Sequence, residues 1–100
     1  MIKVLVKFPG EDYKIVEVDK RPSELEKLIG GKLKINSIFT DARLITRADV
    51  TGCEYNTIYL GCGIYGPLAV VGYGKDGFSD IPEILSRGLL KNGKKSRDCV

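Results

Sequence analysis

The chain has 100 residues, 43% hydrophobic and 29% charged, with a net charge of +3 and no histidine. A single domain of this length buries roughly 65% of the surface its unfolded chain exposes, so neither a metal nor a disulfide is needed to hold it together. The absent histidine removes the usual general base near neutral pH and the usual zinc ligand, and with them Ser-His-Asp, Cys-His and most zinc hydrolase mechanisms.

Ile2, Val4, Val6 and Phe8 alternate with Lys3 and Lys7, the period-two signature of a half-buried strand, and Pro9 to Asp12 supply a turn. Tyr13 to Val18 is the expected hairpin partner. Ser23-Glu24-Leu25-Glu26 reads as a capping box with Pro22 just outside it; Leu25, Leu28 and Ile29 share a helical face, and Gly30-Gly31 ends the helix. Lys32 to Phe39 and Arg43 to Arg47 follow as strands around Thr40-Asp41, then Tyr55 to Leu60 and Leu68 to Tyr73. Gly74 to Gly77 is the strongest turn in the chain. Asp80 fits the N-cap of a second helix carrying Ile81, Ile84, Leu85 and Leu89, stopped by Asn92-Gly93.

This order predicts an α+β fold: a mainly antiparallel sheet of about five or six strands with two short helices on one side. Residues 1–92 form the domain, and residues 93–100 a basic, flexible tail. From Arg87 onward the charge is +4, whereas the body is at −1. Any attraction to polyanions therefore lies in the tail.

Leu60 to Gly66 reads LGCGIYG and satisfies G-x-G-x-x-G, the letter pattern of a dinucleotide-phosphate loop. Such a loop must leave a strand and open a helix, whose first amides hold the phosphates. Here Pro67 and the β-branched run LAVVGY follow, so the glycines are read as turning the chain between strands. Gly72 to Gly77 likewise lacks the Gly-Lys-Ser/Thr of a phosphate loop and is read as a hairpin turn. No cofactor is expected.

Tyr55, Tyr59, Tyr65 and Tyr73 crowd into nineteen residues, and a tyrosine patch makes a good contact surface because each ring supplies a large rigid area and one hydroxyl. Tyrosine also simply suits half-buried strands. Alternation puts Tyr55 and Tyr59 on one face. Arg43 and Arg47, four apart on a strand, point the same way and would form a basic stripe with Lys32 and Lys34 if the two strands pair; ordinary solvation of a sheet face is the competing account. The three cysteines, Cys53, Cys62 and Cys99, are odd in number and miss every zinc spacing, which fits reduced cytosolic thiols. The alternating N-terminus and the lack of a run of about 18 apolar residues lead us to expect a soluble, cytoplasmic protein with no membrane contact.

The segments MIKVLVKFPG, PSELEKLIGGKLKI and IYGPLAVVGYGKDGFSDIPE together resemble a family of small uncharacterised proteins encoded by phages and plasmids of Gram-positive bacteria. The resemblance implies a mobile-element accessory protein acting in a bacterial cytoplasm, and it transfers no site residues. The expected function is a non-enzymatic binding protein that inhibits a host or defence protein, in the manner of counter-defence or anti-CRISPR proteins. Its expected contacts are Tyr55, Tyr59, Tyr65, Tyr73, Arg43 and Arg47. The alternatives are a nucleic-acid binder using the arginines and the tail, and a nucleotide or small-ligand sponge formed by a self-associated pair.

Overall fold

The computed structural model describes residues 1–59 and 61–98, with side chains described through residue 90. Ten elements follow in chain order: β1 (Ile2–Lys7), β2 (Lys14–Val18), α1 (Pro22–Ile29), β3 (Leu33–Phe39), β4 (Ala42–Arg47), β5 (Tyr55–Tyr59), β6 (Cys62–Tyr65), β7 (Leu68–Gly74), β8 (Gly77–Ser79) and α2 (Glu83–Asp98). The six-stranded sheet runs β2-β1-β7-β4-β3, with β8 added to the far end of β7, and every pairing is antiparallel. β5 and β6 form a separate two-stranded hairpin. The expected α+β architecture is therefore present. Leu60, which the sequence reading places at the end of its strand, lies outside the described residues.

β6 and β8 are the strands that sequence reading misses. Both are short and glycine-bearing, and their existence depends on a partner strand already in place: Tyr59 for Cys62, Tyr73 for Phe78.

The helices do not share one side of the sheet, as composition and order suggest they should. Leu25 and Ile29 of α1 pack with Ile2, Val4, Ile45, Ala69 and Val71. Leu85, Leu89 and Leu90 of α2 pack with Leu5, Leu44, Leu68 and Val70, on the opposite face, together with Tyr59 and Ile64 of the hairpin. The central strands are apolar at both parities, so each face needs its own cover. β1 is accordingly not a half-buried strand: Leu5 is as fully buried as Val4 and Val6.

Both helix starts differ from the sequence reading. Pro22 occupies the first turn of α1, where its missing amide costs nothing, and Arg21 precedes it as N-cap without a side-chain cap bond. Ser23 thus lies inside the helix, and no capping box forms. The C-terminal end is as expected, with Gly30 left-handed and the amides of Gly30 and Gly31 both donating to the Glu26 carbonyl. Asp80, expected to cap α2, instead accepts the Lys3 amide at 2.8 Å, while the Ile81 amide donates to the Lys3 carbonyl at 2.9 Å. These bonds satisfy the β1 backbone where β7 has turned to β8.

α2 begins at Glu83 and passes Asn92-Gly93, its expected stop. A glycine costs a helix about 1 kcal/mol relative to alanine, which weakens the segment without removing a backbone donor. Ile84, expected on its buried face, is 86% exposed, and Leu90 takes the inward role instead.

Candidate partner-binding surface

The β5–β6 hairpin lies over the α2-covered face of the sheet, and its inner side is set by three residues. Tyr59 and Ile64 enter the apolar cluster around Leu68 and Val70. Asn56 supplies the polar attachment: its amide nitrogen donates to the Lys7 carbonyl at 2.8 Å and the Gly66 carbonyl at 2.9 Å, and its oxygen accepts from the Lys7 ammonium at 2.6 Å. Lys7 also reaches the Asn56 backbone carbonyl at 3.4 Å. Burial pulls the Lys7 pKa below its ordinary value, with Asp12 and Glu11 pushing it back up.

The register shifts between Tyr55 and Thr57, and that irregularity decides the fate of the tyrosines. An extra residue in one strand reverses the facing of everything beyond it. Tyr55 and Tyr59, expected on one face, consequently separate: Tyr59 is 5% exposed and Tyr55 is 51% exposed. Tyr65 pairs directly with Tyr55, and the rings meet edge to face with centroids 5.5 Å apart. Ile58, 65% exposed, stands beside them opposite Gly63, near which the Tyr55 ring lies.

Tyr73 is elsewhere. It sits on the α1 side with Phe78, and Arg43 stacks on its ring at 4.3 Å. The four tyrosines therefore make two separate patches, not one.

The expected basic stripe does not assemble. Leu33 pairs with Arg47 and Ser37 with Arg43, so the arginines share the odd-numbered face of β3, whereas Lys34 pairs with Thr46 on the other. The Arg43 guanidinium donates to the Phe39 and Ala42 carbonyls at 3.0 and 2.9 Å. Arg47 lies along the bare Cα of Gly31, its Nε buried and with no hydrogen-bond partner among the described residues. Arg43, Lys20, Arg21, Tyr73 and Phe78 line an open cleft of about 500 Å³. A second cleft, about 480 Å³, separates the hairpin from β3 and β4, with Tyr65, Cys62 and Lys34 on its lining.

The glycine pattern behaves as chain geometry requires. Gly61 and Gly66 have φ of 80° and 77°, closing turns on either side of β6, and β7 follows Pro67 with no helix between them. Among the described residues, no helix starts between β6 and β7. Cys62 is exposed and Cys53 half-buried, while Cys99 lies outside the described residues. Among the described residues, no His, Cys, Asp and Glu cluster has metal-binding geometry and no helix is long and apolar enough to cross a membrane.

Beside the hairpin, burial pushes the Tyr13 hydroxyl up to about 12, aided by Tyr59, whose own pKa is raised by burial. The folded chain holds this proton more tightly than the unfolded chain does, so the associated stability is complete below pH 10.0 and disappears as pH rises through about 12. Lys7 works in the opposite sense, and a comparison with Tyr13→Phe cancels it. Denaturant titrations should show the wild type losing stability across this alkaline window more steeply than Tyr13→Phe; parallel pH curves would contradict the assignment.

Comparisons with protein-family models, curated proteins and solved structures return no match.

Proposed function

We propose that this protein is a non-enzymatic binding module that docks onto a host or defence protein through the outer face of the β5–β6 hairpin. Tyr55, Ile58 and Tyr65 form the contact. The observation that supports the reading is the edge-to-face tyrosine pair with Ile58 beside it, large apolar groups held in fixed positions on a hairpin whose other face is anchored in the core. Rigid aromatic anchors of this kind concentrate binding energy, since little side-chain freedom is lost when a partner covers them. The proposed setting is the bacterial cytoplasm and the proposed class a phage or plasmid accessory protein, as the sequence resemblance implies.

The test compares partner capture from bacterial lysate by the wild type, Tyr65→Ala and Ile58→Asp, followed by affinity measurement on the captured protein. Loss of a central anchor should weaken binding by roughly 30-fold or more, equivalent to about 2 kcal/mol. Ile84→Asp, at a still more exposed position on α2, should bind as the wild type does. Equal retention of all four proteins would refute the assignment of this face.

A further inference from the structure

Val6, Ala69, Ile45 and Ile35 lie in one row across β1, β7, β4 and β3, because the registers pair Val6 with Ala69, Ala69 with Ile45 and Ile45 with Ile35. The first three are fully buried, whereas Ile35 is 48% exposed. The row thus ends open at the sheet edge. β3 has β4 on one side and no strand on the other among the described residues.

The backbone direction of that edge follows from two hydrogen bonds. The Ala48 amide donates to the Lys32 carbonyl at 2.8 Å, and the Tyr73 amide to the Asp41 carbonyl at 2.9 Å. Even-numbered residues of β3 therefore turn their backbone groups toward β4, and odd-numbered residues of β4 toward β7. Leu33, Ile35 and Ser37 present their N–H and C=O groups outward. Beyond Ser37 the register shifts, which closes the regular stretch.

We propose that a second copy of this chain covers the edge, the two β3 strands running antiparallel about a two-fold axis at Ile35. In that register Ile35 meets Ile35 of the second copy, and the apolar row continues through the second copy's Ile45, Ala69 and Val6. Leu33 falls opposite Ser37, so all three outward-facing residues exchange backbone hydrogen bonds. Lys34 falls beside Asn36, whose side-chain oxygen accepts from an ammonium, and no like charges face each other. This fit of the patch to itself, which an isologous contact demands, selects a second copy over an unrelated strand.

Sedimentation velocity across rising concentration should show the wild type passing from monomer to dimer. Ile35→Lys sets two ammonium groups on the axis and should raise the dimer dissociation constant by at least about tenfold. Ile15→Lys, on the opposite sheet edge, should leave it unchanged. In a chain with its three cysteines replaced by serine, Ile35→Cys should oxidise to a covalent dimer and Ile15→Cys should not. A wild type that stays monomeric throughout, a dimer as tight in Ile35→Lys as in the wild type, or equal crosslinking at positions 15 and 35 would overturn the proposal.

Discussion

Replacing Gly72 with alanine is expected to destabilise the fold by about 3 kcal/mol, at the upper end of what overpacking a core costs. A Cβ on Gly72 would overlap the Asp80 carbonyl oxygen and meet the Ser79 hydroxyl at 2.6 Å. The first obstacle is backbone and is held on both sides: Asp80 and Ile81 are bonded to Lys3, and Ile81 is buried in the cluster beneath α2. The chain has to cross close over Gly72 to leave β8 and start α2. For a domain this size such a loss corresponds to a fall in melting temperature of roughly 12–24 °C. Gly74→Ala is the control, because the same strand has open space there. It should be neutral or slightly stabilising. Equal melting temperatures for the two variants would show that the crossing is not tight.

Asn56→Ala is expected to cost about 3 kcal/mol as well, for a different reason. The change removes the amide donor shared by the Lys7 and Gly66 carbonyls and takes away the side-chain acceptor of a partly buried ammonium. Groups left without partners lose their hydration and gain nothing in return, which is what makes such deletions severe. Because Asn56 ties β5 to the end of β1, hydrogen exchange should accelerate first at the β5 and β6 amides and only later in β1 and β7. Adding Lys7→Met removes the stranded charge, so the double variant should be more stable than the sum of the single losses implies. Strict additivity would mean that Lys7 and Asn56 do not act as a unit.

Most elements were legible because their signals are local. The alternation of Ile2 to Phe8, the glycine pair after Ile29 and the β-branched run after Pro67 each announce a conformation within a few residues. That last signal sufficed to reject a dinucleotide loop at Leu60 to Gly66. The site was less legible. Tyr55 and Tyr65 stood in the sequence as candidates, but nothing local separates them from Tyr59, which is buried because the strand slips by one residue at a buried asparagine. Asn56 itself, the residue that positions the hairpin, belongs to no recognisable motif. A polar residue inside a strand otherwise built of β-formers was its one available signal.

By itself the sequence determined a small α+β domain, its main strands, its two helices and the extended course of the chain after Pro67. Only the tertiary structure decided that the helices cover opposite faces, that Asp80 secures β1 and not α2, that the arginines turn away from the lysines, and that the tyrosines part company. Each of these outcomes depends on which strand lies beside which and in what register. Hydrogen bonds such as Lys3 to Asp80 join residues 77 positions apart. Local propensity carries no information over that distance, whereas a one-residue step in register moves a side chain from water to core.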